Sequence, residues 1–280
     1  MRSLVLALAT NFTLAPALNA QTGSRFVRYE HEGRISYGIV DGERIIEIEG
    51  DIFGEHRTTS RSAARGDVRL LPPTDARKVI AVGLNYQSHL GNREPAAYPG
   101  LFAKYPTSLV GHEAQIVLPE DATNVHYEGE LVLVIGRRCT NVARAEAMQC
   151  VFGVTAGNDV SERNWQGQDL QWFRAKASDT FGPVGPVIAT GLNPDNLLVQ
   201  TRVNGETRQS ERTSDLIFDT REIVSYISRY ITLEAGDLIF TGTPQSTRAM
   251  QPGDVVEVEV EGVGVLRNAV VRRNAAPASR

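Results

Sequence analysis

Cysteine is nearly absent from this chain of 280 residues: Cys139 and Cys150 are the only two. With no histidine beside either, they form no zinc-binding spacing, and one pair is no disulfide framework. They read as buried structural thiols, and a bridge between them requires an oxidising compartment. No apolar run is long enough to span a bilayer. Internal repeats are missing too, which excludes solenoids and propellers. Gly153, Gly157, Gly182 and Gly185 do not carry the spacing of a dinucleotide fingerprint. Charge of one sign is also lacking: 29 basic residues stand against 33 acidic ones, for a net charge of −4. Without a Lys/Arg block the chain is not a general nucleic-acid binder, and affinity for an anionic substrate has to come from a local site. What is present, 41% apolar and 22% charged residues, is the composition of a folded globular protein.

Residues 1–20 have the order of a secretory signal peptide. A short basic start at Arg2 precedes apolar residues 4–9 and then small residues up to a cut after Ala20. Removal of that leader implies a periplasmic or secreted protein; retention implies a cytoplasmic one. Residues 26–30, 35–40 and 45–48 alternate as strands, with Glu32-Gly33 and Asp41-Gly42 between them as turns. Residues 55–67, rich in Arg, Ser and Thr, read as a linker or exposed loop. A small N-terminal β domain over 21–72 follows, ending at Leu70-Leu71-Pro72-Pro73. A larger domain over 73–272 and a disordered tail over 273–280 complete the chain.

In the larger domain, residues 78–84, 116–118 and 238–241 read as short strands, and 131–135 as a strand buried on both faces. Val256, Val258 and Val260 alternate with Glu257, Glu259 and Glu261, and Gly262-Val263-Gly264 reverses the chain. Two helices are predicted. One carries Ala147, Met148, Val151 and Phe152 and stops at Gly153. The other starts at a capping box of Asp219 and Glu222 and presents Ile223, Val224, Ile227, Tyr230 and Ile231 on one apolar face. The expected class is α+β and mostly β, not an alternating βαβ array.

The segment His126-Tyr127-Glu128-Gly129-Glu130-Leu131 carries the chemistry. Residues two apart on a strand point to the same face, so Glu128 and Glu130 project together at the mouth of an apolar strand. Such a pair must share a proton, splay into water or hold a cation. With no soft ligands nearby, a hard divalent ion fits best. A bare Glu-x-Glu is by itself more often a solvated strand end. Asp159 follows another apolar run and offers a third carboxylate. Lys176, between Phe173 and Phe181, is placed to neutralise a developing oxyanion. His89, after the strand at 78–84, is the candidate base.

Taken in order, these pieces resemble the fumarylacetoacetate hydrolase family. The resemblance runs through Val82-Gly83-Leu84-Asn85-Tyr86 with His89, Phe102-Ala103-Lys104 with Pro106 and Ser108, and Tyr127-Glu128-Gly129-Glu130. It continues in Asn158-Asp159-Val160-Ser161 with Trp165-Gln166, Lys176 with Asp179-Thr180-Phe181-Gly182-Pro183, Val203-Asn204-Gly205-Glu206 and Thr241-Gly242-Thr243-Pro244. It implies a mixed β-sandwich roll behind a small β-rich N-terminal domain, a homodimer, and Mg²⁺ (or Mn²⁺ or Ca²⁺) on Glu128, Glu130 and Asp159. It also implies His89 and Lys176 as catalytic residues, with Gln166, Thr180, Thr243 and Lys104 binding the substrate. The branch is that of 2-hydroxyhepta-2,4-diene-1,7-dioate isomerases and acylpyruvate hydrolases. The implied activity is metal-dependent hydrolysis of a C–C bond in a β-diketo acid. An isomerase, a decarboxylase or a non-catalytic keto-acid binder would use the same site; neither nucleic acid nor membrane is an expected partner. In two places the chain departs from the pattern. A glutamate is expected three residues after the histidine, where this chain has Asn92, so either Glu94 takes the role or Asn92 merely orients His89. The loop 245–251 also lacks the usual glycines.

Overall fold

The computed structural model describes residues 23–273. The leader expected at 1–20 and all but the first residue of the expected tail lie outside them. Two mixed sheets make the body, and the fold is α+β and mostly β. In the larger sheet the strand order is His56–Ala64, Arg44–Gly50, Arg34–Asp41, Arg25–His31, Gly182–Ala189, Val151–Asn158, Gly129–Ile135, Leu238–Phe240, Val79–Gly83 and Gly100–Lys104. A five-stranded sheet, Glu206–Arg212, Leu198–Val203, Val255–Val260, Gly264–Arg272 and Ile116–Leu118, lies against it.

The strand Gly129–Ile135 is buried throughout because its two faces feed two different cores. Leu131, Leu133 and Ile135 pack with Val258, Val260 and Leu266 of the second sheet and with Ile223, Val224 and Ile227 of the helix Thr220–Tyr230. Val132 and Val134 point the other way, among Phe26, Ile48, Val184 and Phe240. A continuous apolar run is the signature of that arrangement. The N-terminal meander is hydrogen-bonded into the same sheet, Phe26 opposite Ile188.

Several local expectations need correction. Residues 55–67 are not a loop: His56–Ala64 is the edge strand of the large sheet, paired with Arg44–Gly50. Its polar, Arg-rich side chains face solvent and discourage further strand pairing. The helix expected around residues 147–152 is instead a 3₁₀ helix, Arg144–Cys150, followed at once by the strand Val151–Asn158. Helical spacing of four apolar residues coincided there with a strand start. The Asp219 cap forms, its carboxylate accepting from Glu222 N at 2.8 Å. Glu222 faces Arg144 at 3.4 Å. Tyr230 and Ile231 fall off the buried stripe into solvent. Cys139 and Cys150 are not free thiols but a disulfide. No helix among the described residues is long and apolar enough to cross a membrane.

Candidate metal centre and active site

The antiparallel pairing of Gly129–Ile135 with Val151–Asn158 sets Gly129 opposite Asn158. Just beyond, Asp159 N donates to Glu128 O at 2.8 Å and Glu128 N donates to Asn158 Oδ1 at 2.9 Å. Glu128 and Asp159 thus sit side by side at the ends of neighbouring strands, and the pleat brings Glu130 to the same side. All three are buried, with carboxylate oxygens lying within 4.8 Å of one another. The glycine between the glutamates is required: a Cβ on Gly129 would lie 1.9 Å from Thr201 Oγ1 of the facing sheet.

Lys176 Nζ donates to Glu128 Oε2 at 2.7 Å and to Asp159 Oδ2 at 2.6 Å. Arg163 Nη2 donates to Glu128 Oε1 at 2.5 Å, and Lys104 Nζ to Asp159 Oδ1 at 2.6 Å. Burial pushes the Glu128 carboxyl up, but Lys176, Arg163 and His89 outweigh it and hold the group well below the carboxylate range. Burial lowers Lys176, yet Asp159 and Glu128 raise it further, so the ammonium stays charged. Glu130 differs. Burial, then Asp159 and Glu128, push its carboxyl well above the ordinary range. Its hydrogen bond is from Gly242 N, at 2.7 Å, and no cationic side chain pairs with it among the described residues. A divalent cation fits this residue set: an all-oxygen donor group, buried, with one carboxylate lacking positive charge.

A cavity of about 500 Å³ opens over the cluster, and His89, Gln166, Lys176 and Thr243 line it together with Glu128 and Glu130. Thr243 Oγ1 donates to Gly129 O and accepts from Gln209 Nε2, both at 2.9 Å. His89 Nδ1 donates to the carbonyl of Gln245 at 2.5 Å. A carbonyl can only accept, so Nδ1 carries a hydrogen, and the neutral tautomer compatible with this bond has its lone pair on Nε2.

Three expected site residues do not reach the cavity. Lys104 is fully buried behind Asp159, where its ammonium also donates to the Lys176 carbonyl. It braces the carboxylate cluster instead of meeting a ligand. Thr180 spends its hydroxyl accepting from Val117 N at 2.8 Å. Glu94 is exposed and outside the cavity lining, although its neighbour Arg93 is on the cavity wall. Among the described residues, the His89 ring makes no hydrogen bond to a carboxylate.

Sequence reasoning missed Arg163 and Arg93, both on the cavity wall. A charge count pointed to the first: three buried acids with two lysines lack a counter-ion, and Arg163 opens a helix three residues before Gln166, which accepts from its Nη1 at 2.8 Å. Arg93 gave no comparable signal, being an isolated loop arginine.

A roll of mixed strands brings Glu128, Glu130, Lys176 and His89 to the wall of one cavity with Asp159 beside them, an oxygen donor set that fits a divalent cation. A family model described as fumarylacetoacetate (FAA) hydrolase C-terminal matches residues 78–271, and one described as Rv2993c-like, N-terminal matches residues 24–73. The chain belongs to the fumarylacetoacetate hydrolase family. It is 45% identical over 252 residues to Protein Rv2993c of Mycobacterium tuberculosis, covering 85% of this chain and 95% of that one. With the mitochondrial oxaloacetate tautomerase FAHD2A of Bos taurus it shares 38% identity over 222 residues, 74% of this chain and 71% of the relative. The crystal structure of 2-hydroxyhepta-2,4-diene-1,7-dioate isomerase from Mycobacterium marinum superposes with a TM-score of 0.84 at 42% identity. That match covers 90% of this chain and 99% of the other.

Proposed function

We propose that this protein is a divalent-cation-dependent enzyme that moves a proton on a 2-oxo acid bearing a second carboxylate, by keto–enol tautomerisation or by shifting a double bond. The observation that carries the choice is the environment of His89: its ring is held by a backbone carbonyl, and Glu94, the carboxylate expected to pair with it, is outside the cavity. A lone imidazole suffices to take a proton from a carbon acidified by its neighbouring carbonyl. Activating water for C–C cleavage gains more from a carboxylate behind the base. The tautomerase and isomerase names of two relatives support the same choice.

Glu128, Glu130 and Asp159 would hold the cation, Mg²⁺ being the first choice for hard oxygen ligands. When bound, it polarises the 2-oxo group as a Lewis acid. His89 Nε2 takes the proton from the carbon beside the 2-oxo group; in tautomerisation a proton ends on the 2-oxo oxygen, and in a double-bond shift it is returned to the conjugated carbon. Lys176, charged and buried beside the carboxylates, stabilises the negative charge on the oxygen. Gln166, whose Oε1 is taken by Arg163, keeps its Nε2 donor to orient the acid end, while Thr243 lines the cavity with its hydroxyl hydrogen already given to Gly129 O. Arg93 makes no ion pair among the described residues, which supports a second carboxylate at the cavity mouth.

Hydrolysis of a β-diketo acid is the second reading, favoured by a cavity with room for water beside a small acid. Incubating the Mg²⁺ form with oxaloacetate, acylpyruvates and 2-hydroxy-dienedioates in D₂O distinguishes the outcomes. Deuterium gain or double-bond migration without fragments is the expected result. Acyl fragments would establish hydrolysis, carbon dioxide decarboxylation, and tight binding without turnover a binding protein. His89→Ala is expected to lower turnover by a factor of about 10²–10⁴ with cation affinity unchanged; loss of the cation instead would make His89 a ligand.

Export belongs to the same proposal, supported by the leader-like residues 1–20 and the Cys139–Cys150 disulfide, a bond that persists in oxidising compartments. A mature N-terminus near residue 21 in the native host is expected; an intact Met1 in the cytosol would overturn it.

A further inference from the structure

Gln245 occupies a place where its backbone and side chain make incompatible demands unless something holds them. Its φ is +54°, in the left-handed region that disfavours side chains other than glycine. The loop keeps that conformation with a clamp. Gln245 Oε1 accepts from Ser210 N at 3.0 Å, and Nε2 donates to Ser210 O at 3.4 Å, so the amide reads the backbone of the strand Glu206–Arg212 as a neighbouring strand would. Gln245 N donates to Ser88 Oγ at 3.0 Å, and Ser88 Oγ donates to Glu211 Oε2 at 2.6 Å. The consequence is at the carbonyl. Fixed from three sides, Gln245 O accepts from His89 Nδ1 at 2.5 Å. Its neighbours Thr243 and Ser246 line the cavity, which ties the loop to the site that His89 faces.

We infer that Gln245 is the positioning residue for His89: its clamped, left-handed backbone fixes the ring as the Nδ1–H tautomer and leaves Nε2 facing the cavity. This rests on His89 being the base of the proposed reaction, but the structural part stands without any substrate. A backbone carbonyl takes the place of a carboxylate at Nδ1, orienting the ring without a negative charge at that nitrogen. The side chain therefore acts at a distance, through the carbonyl it immobilises.

The test uses the full-length protein with ¹⁵N-labelled histidine. In the wild type the His89 ring is expected to show a protonated Nδ1 and a lone-pair Nε2. In Gln245→Ala the two tautomers are expected to mix, and kcat to fall about tenfold with KM within about twofold of wild type. Ser88→Ala, an exposed change that spares the fold, is expected to move both readouts in the same direction by a smaller factor, and it decides the matter if Gln245→Ala does not fold. A wild-type ring carrying its proton on Nε2 would overturn the inference, as would variants with unchanged spectrum and turnover. Because the tautomer is read without substrate, a wrong reaction class leaves this result intact and is detected separately by the product assay.

Discussion

Glu130 is the carboxylate of this cluster that has no cationic partner among the described residues, although Glu128 and Asp159 beside it are satisfied by Lys176, Arg163 and Lys104. Burying a third acid so close is costly unless a cation or a proton completes the site. Three lysines occur in the whole chain, Lys78, Lys104 and Lys176, and two of them are spent here. Glu130→Gln keeps the shape and removes the unpaired charge. It should weaken Mg²⁺ binding at least about tenfold, roughly 1.4 kcal/mol, read by titration calorimetry, with the circular dichroism spectrum unchanged. Undiminished affinity would mean the cation is held elsewhere. The glutamates, Asp159, Lys176 and His89 were legible as residue types in ordered short motifs. Their partners were not: the absence of a His89–Glu94 pair follows from which side chain of the loop meets the cavity, Arg93 and not Glu94, and the seclusion of Lys104 from which side of Asp159 it approaches.

At the scale of elements, the strand Gly129–Ile135 does two jobs, joining two cores and ending in the acidic cluster. Gly129→Ala forces a methyl group onto Thr201, whose Oγ1 would be 1.9 Å away. Overpacking of this kind costs about 1–3 kcal/mol, and a lower midpoint in urea unfolding is the expected observation. In the N-terminal meander, Glu47 is buried beneath Arg61 and Arg34, with 2.6 Å to the latter. The Arg61 hydrogen bond is the main reason its carboxyl lies below the ordinary value of 4.5, burial opposing and Arg34 assisting. A depressed acid contributes stability that is present above its unfolded value and lost as pH falls through the folded one. Wild type should therefore lose more stability than Glu47→Gln on acidification below 4.5, measured as the difference in thermal midpoint across pH. Parallel curves would remove the ion pairs from the account. This meander was legible from its Asp-Gly turn and alternation, whereas its edge strand His56–Ala64 was hidden. An edge strand with a solvated, arginine-rich face has no apolar periodicity to detect.

For the whole molecule, part of the apolar surface left outside the core, Leu170 and Phe173, flanks the cavity-lining Trp172 in the chain. Leu170 is 95% exposed, and Tyr105 stacks on the half-exposed Phe173 at 5.3 Å. Exposed apolar groups in one region mark an interaction surface, and a second copy of this chain is the proposed occupant. Light scattering behind size exclusion should give twice the chain mass of 30.6 kDa, and Leu170→Asp with Phe173→Asp should shift it toward a monomer. A monomeric wild type would leave that surface for another partner.

The sequence by itself determined the mostly-β class, the carboxylate triad and the family, because apolar alternation, turn residues and ordered motifs are local properties that survive without coordinates. Only the tertiary structure decided which of those side chains meet. Strand register brings Glu128 beside Asp159 across 31 residues of chain, and sheet packing carries Gln245 to His89 across 156. Contacts so distant in sequence are set by how faces are buried against one another, and no local pattern encodes them.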